Sequence, residues 1–132
     1  MAHAVVEWTA NLQESGFVPR PFLELIACDM READGVFPIG GIRVRAIRLD
    51  DYVIADDSGP EDAFINIAIL MGAGRSDEFK SSYFSALFDK LKAHLQPIFE
   101  TRPLALSMYI NEATPQSSFK ANTIHIRLKG TD

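Results

Sequence analysis

The chain has 132 residues, 47% of them apolar and 23% charged, with 13 Lys and Arg against 18 Asp and Glu. That length suits a single domain, here expected over residues 1–132, and the composition is that of a globular chain, not a disordered one. A net charge of −5 argues against nucleic acid as a partner, because phosphate-backbone binding draws on clustered Lys and Arg.

Met1 to Glu7 hold no basic stretch followed by an apolar run, so no leader is expected there. Ala4 to Thr9 reads as a first strand, bounded by the turn formers Asn11 and Ser15-Gly16. Pro21 is suited to open a helix whose face is supplied by Phe22, Leu25, Ile26 and Cys28 to Met30, and Asp34-Gly35 should end it. Cys28 is the only cysteine, which leaves no internal disulfide or cysteine metal cage. It is expected to be a small buried hydrophobe in a reducing, cytoplasmic setting. After the connector Phe37 to Gly41, Ile42 to Ala55 reads as a second strand that bends or bulges, because its polar positions hold no single parity.

Asp56 to Glu61 is a turn. Ala63 to Met71, apolar except for Asn66, has the pattern of a strand covered on both faces. Beyond Gly72-Ala73-Gly74, Ser76 is placed to cap a long helix. Asp77 and Glu78 suit its first turn, and Phe79, Tyr83, Phe84, Leu87, Phe88, Leu91, Leu95 and Ile98 form its apolar stripe. Pro97 and Pro103 bracket its exit, Leu104 to Ile110 is a further strand, and the alternation of Thr123 to Leu128 predicts a short tail strand. No segment approaches the roughly 18 apolar residues of a spanning helix, so no membrane association is expected. The order is that of a doubled β-α-β arrangement, an α/β (α+β) fold whose mixed sheet carries two helices on one face. The other face then needs a cover, from loops or from other subunits.

Few residues suggest chemistry on their own. Gly72 to Ser76 joins strand to helix, and either it is a plain turn with a surface Arg75 or its free N–H groups and Arg75 hold an anion. Arg43 and Arg45 share a strand face and either pair with acidic groups or clamp a ligand. His3, His94 and His125 lie on separate elements without ligand spacing, so no metal site is expected. The absence of a Gly-x-Ser-x-Gly elbow, and of a His partner for Cys28, gives nucleophilic hydrolysis no support.

Five stretches in colinear order nevertheless carry a resemblance. They are Met1 to Glu7, Gly35 to Arg45, Gly72 to Ser76, Leu104 to Met108, and Phe119 to Asn122 with His125. Together they resemble 5-carboxymethyl-2-hydroxymuconate isomerase, of the tautomerase superfamily. The resemblance implies a homotrimer of doubled β-α-β subunits with sites near the interfaces, and cofactor-free proton transfer within an unsaturated 2-hydroxy or 2-oxo dicarboxylate. In that family the mature chain begins with proline, whose secondary amine is the base. Here the position is Ala2, which would offer a primary amine if Met1 is removed. The resemblance implies Ala2, Arg43 and Arg75 as catalytic residues, with Arg43, Arg45, Arg75 and His3 about the substrate. The physical logic agrees: an α-amino group titrates at about 7.7–8.0, near neutrality, and guanidinium groups stabilise a dienolate. The substitution at Ala2 leaves a second reading, a non-catalytic trimer of the same fold that binds a small organic acid.

Overall fold

The computed structural model describes residues 1–128 of the chain. Strand β1 (Ala2–Thr9), helix α1 (Pro19–Arg31) and strand β2 (Ile42–Leu49) form one β-α-β unit; β3 (Ala63–Gly72), α2 (Asp77–Phe99) and β4 (Leu104–Ala113) form a second. Strands within each unit pair in parallel, which requires a long crossover, and α1 and α2 are those crossovers. The units join where β1 and β3 run antiparallel, giving one mixed sheet in the order β2-β1-β3-β4.

Side-chain alternation decides which face the helices cover. Ala2, Ala4, Val6 and Trp8 of β1 and Ala63, Ile65, Ile67, Ile69 and Met71 of β3 are buried on one face. Phe22, Ile26 and Met30 of α1 and Phe84, Leu87, Leu91, Leu95 and Ile98 of α2 close over them. Burying each large apolar side chain contributes about 1.5–3 kcal/mol. The opposite face presents His3, Val5, Arg43, Arg45, Phe64, Ala68, Leu70 and Tyr109. Leu70 is 37% exposed and Tyr109 64%. The apolar run through β3 is therefore covered on one face by its own chain, and its second face lies open in the single subunit.

Several boundaries differ from expectation. Helix α1 opens at Pro19, two residues early, because both Pro19 and Pro21 fall in the first turn, where a missing N–H leaves no helical bond unmade. It stops at Arg31, and the chain reverses through Asp34 (φ 52°) and Gly35 (φ 77°). Ser76 caps α2 by accepting a hydrogen bond from the Phe79 N–H at 3.0 Å. The helix runs through Pro97, which lies on its exposed side two residues before the end, so the ring disturbs only the last turn. Strand β2 ends at Leu49, well short of Ala55, because its partner β1 ends at Thr9 and turns into a short 3-10 segment, Ala10–Ser15. Cys28 is only half-buried, with its thiol 3.5 Å from Glu32 Oε1.

The expected tail strand over Thr123 to Leu128 is a single helical turn, α3 (Ile124–Arg127). Six residues of alternating pattern do not separate a two-residue period from a helical one, and here two local anchors decide. Asn122 accepts the Ile124 N–H at 2.8 Å and donates from Nδ2 to the Gly40 carbonyl at 2.8 Å. These bonds draw the tail onto the connector before β2 and away from the sheet edge.

Candidate functional site

One end of the molecule gathers Ala2, His3, Arg43 and Arg75, while His94 stays on α2 against Phe22. Ala2 opens β1 in register with Ile42, the first residue of β2, and with Met71, near the end of β3. The terminus is therefore flanked by the strand that carries Arg43 and by the loop that carries Arg75. Two glycines allow a close approach here. A Cβ on Gly41 would lie 3.0 Å from Met1 Cα, and a Cβ on Gly40 would lie 2.5 Å from His125 Nδ1. The first lets the terminus lie against the connector, and the second lets the tail imidazole pack across it.

Met1 and Pro38 separate two cavities. The larger, about 540 Å³, is lined by Met1, His3, Pro38, Gly41, Arg43 and the tail residues Phe119, Lys120, Ala121, Asn122 and His125. The smaller, about 230 Å³, is lined by Met1, Pro38, the segment Gly35 to Phe37, the stretch Met71 to Ala73, and Arg75. Among the described residues, neither has an acidic residue in its wall. Arg43 Nη1 donates to the Gly41 carbonyl at 3.2 Å, and Arg75 Nη2 to the Val36 carbonyl at 3.4 Å. These bonds orient both guanidinium groups without neutralising them.

The electrostatics follow from this arrangement. Burial, then the positive charges of Lys120 and Arg43, hold the terminal amine below its ordinary value of 8.0. Burial, then Arg45, Arg43 and the terminal amine, likewise lower His3 from 6.5. Arg45 Nη1 lies 3.1 Å from His3 Nδ1. A guanidinium only donates, so Nδ1 accepts and His3 is the neutral tautomer with its proton on Nε2.

Arg43 and Arg75 thus flank the terminus from separate cavities, and His3 lines the larger one. Arg45 shares the open face with Arg43 and is occupied by His3, outside either cavity wall. Ala2 is fully buried, and with Met1 present its nitrogen is a peptide amide, so the free amine belongs to Met1. Sequence reasoning gave no role to Met1, Lys120, Asn122 or His125. The Asn-x-Ile spacing at 122–124, able to form an Asx turn, is the one local signal that the tail folds back. Among the described residues no group of three or more His, Cys, Asp or Glu side chains could hold a metal ion, and no helix is long and apolar enough to cross a membrane.

Comparison with known proteins agrees with this geometry. The family model for 5-carboxymethyl-2-hydroxymuconate isomerase matches residues 2–128. The Escherichia coli 5-carboxymethyl-2-hydroxymuconate Delta-isomerase is 35% identical over 130 residues, covering 98% of this chain and all of that protein. A crystal structure of a 5-carboxymethyl-2-hydroxymuconate isomerase from Deinococcus radiodurans R1 superimposes with a TM-score of 0.86 at 40% identity, covering 97% of this chain and 94% of that one. A second crystal structure, of a 5-carboxymethyl-2-hydroxymuconate delta-isomerase, gives 0.84 at 25% identity, covering 98% and 93%. The doubled β-α-β architecture is that of the tautomerase superfamily. Within it, the chain belongs to the 5-carboxymethyl-2-hydroxymuconate isomerase family.

Proposed function

We propose that the protein is an isomerase that moves a proton within an unsaturated 2-hydroxy or 2-oxo acid such as 5-carboxymethyl-2-hydroxymuconate, a muconate diacid with an added carboxymethyl arm. The observation that carries this reading is a terminal amine between Arg43 and Arg75, in cavities that no carboxylate of the described residues lines. The unprotonated amine takes the proton of the 2-hydroxyl group, and the electron pair moves through the diene as the 2-oxo group forms. The ammonium then returns the proton to the distal carbon. Arg43 and Arg75 bind carboxylate and stabilise the dienolate oxygen, His3 and Arg45 border the substrate, and no cofactor enters these steps. Removal of Met1, which with Pro38 divides the cavities, would open each toward the other and put a primary amine on Ala2 between them.

The subunits act as a homotrimer, in which the open sheet face is covered by neighbouring copies. Alanine where the family has proline favours a second reading, a trimer that binds the acid without turning it over. The deciding experiment follows ketonisation of a 2-hydroxymuconate by ultraviolet absorbance. A protein-dependent rate that is lost in Arg75→Ala supports the isomerase. Binding without turnover supports the second reading, and neither binding nor turnover removes both.

A further inference from the structure

Five cations away from the site, Arg20, Arg48, Lys80, Lys90 and Arg102, each reach a carboxylate. Beside the larger cavity Arg45 is tied to His3, and in its wall Arg43 is held by the Gly41 carbonyl. Lys120 is different, since among the described residues no ion pair or hydrogen bond engages its ammonium group. The charged group it acts on is the terminal amine, which it repels.

Its position is nevertheless fixed. After β4 the chain turns through Thr114, whose N–H and hydroxyl both donate to Ser117 Oγ at 3.0 Å. Asn122, two residues beyond Lys120, bonds the Gly40 carbonyl, and His125 rests on Gly40 itself. The segment is thus shaped by a local turn before Lys120 and anchored to the connector after it, and it forms the wall of the larger cavity farthest in sequence from the arginines. Like charges brought together across a cavity that no described carboxylate lines are relieved when an anion enters between them.

The reading given under Proposed function, on which this inference rests, assigns two guanidinium groups to a substrate whose name carries three carboxylates: the two of the muconate chain and one on the carboxymethyl arm. We propose that Lys120 is a positioning residue that receives the carboxymethyl carboxylate, so that the tail segment selects the branched triacid over the unbranched diacid. A lysine suits this task, because a flexible point charge meets a carboxylate on a freely rotating arm without the fixed planar fit of a guanidinium.

The test uses unreactive saturated acids, so that it reads recognition whether or not the protein turns substrate over. Adipate has the unbranched skeleton, and 2-(carboxymethyl)adipate adds the arm. Affinities are measured by calorimetry for the wild-type chain, Lys120→Met and Lys120→Arg. Lys120→Met is expected to lower affinity for the triacid about tenfold more than for adipate, the scale of one charge-assisted contact, and Lys120→Arg to keep most of the preference. An NMR titration of the free protein supplies a readout that a merely structural role would not move: the terminal amine should titrate higher in Lys120→Met. Equal losses for both acids, or an amine pKa unmoved by Lys120→Met, would overturn the assignment while leaving the isomerase reading intact. An isomerase rate of zero with the triacid preference retained would remove that reading and leave this one standing.

Discussion

Met1 and Gly41 touch backbone to backbone: a methyl group added at Gly41 would lie 3.0 Å from Met1 Cα and 3.4 Å from its nitrogen. Contact at that range with main-chain atoms is not relieved by rotating a side chain, so the terminus itself must shift. Gly41→Ala is therefore expected to move the amine by a few tenths of an ångström relative to Arg43. Misplacement of a proton-transfer group lowers kcat by about ten- to a hundredfold. Because the strained contact is at the end of β1 and not inside the core, Tm should fall by only a few degrees. Parallel kcat and thermal-melt measurements check this, and an unchanged kcat would show that the amine is not the base.

The amine's lowered pKa has a definite sign in kinetics. A general base acts unprotonated, so kcat/KM should rise with pH along a limb centred below 8.0 and then level off. Arg43 is one of the cations that depress this pKa, after burial and Lys120. Arg43→Met should move the limb upward as well as slow the reaction, and so its deficit should be larger at pH 6 than at pH 8. A limb that stays in place would mean that the titrating group lies elsewhere.

Proline at position 2 offers a direct test of the base. In a chain whose Met1 removal is verified by mass spectrometry, Ala2→Pro turns a primary into a secondary amine and fixes its direction through the ring. Proton transfer should rise at least severalfold over the Met1-free wild type. A fall would indicate that the fully buried Ala2 site is shaped for the smaller side chain.

The arrangement of this end of the molecule was only partly legible in the sequence. Helix α2 was readable because its buried residues repeat at roughly 3.6-residue spacing, as at Phe84, Leu87 and Leu91, and β3 because its run is apolar except for Asn66, although that run hid which face the helices cover. The pairing of Arg43 and Arg45 on one face followed from the two-residue period of a strand. The end of β2 was not readable, since it is fixed by where β1 stops. The tail was misread for a related reason: its course depends on the Gly40 carbonyl and the absence of a Cβ there, features about 80 residues away in the chain. Lys120 therefore had no visible setting, although Arg43 and Arg75 did.

Arg102 tests stability apart from chemistry. Its side chain is only 4% exposed and joins Asn11 O, Ser15 Oγ, Glu14 and Glu61, with Glu61 at 2.6 Å. It thereby fastens the 3-10 segment after β1 to the entry of β4. Both glutamates are largely exposed, so Arg102→Met leaves them in water and costs mainly the bonds to Asn11 and Ser15. A loss of about 1–3 kcal/mol in denaturant unfolding is expected, with kcat unaffected.

The open sheet face provides the test of assembly. Ala68 sits at its centre, in register with Val5 on one side and Tyr109 on the other, and all three project away from the helices. In a lone subunit a glutamate there would stand in water and leave the core untouched. In a trimer that buries this face it would carry an unpaired charge into the interface, a far larger penalty. Light scattering should therefore give the wild type three times its 14.7 kDa chain mass and Ala68→Glu the mass of one chain, with circular dichroism unchanged. A trimeric mass retained in Ala68→Glu would mean that the subunits meet through another surface, and a wild-type mass of 14.7 kDa would mean that the face is open in solution.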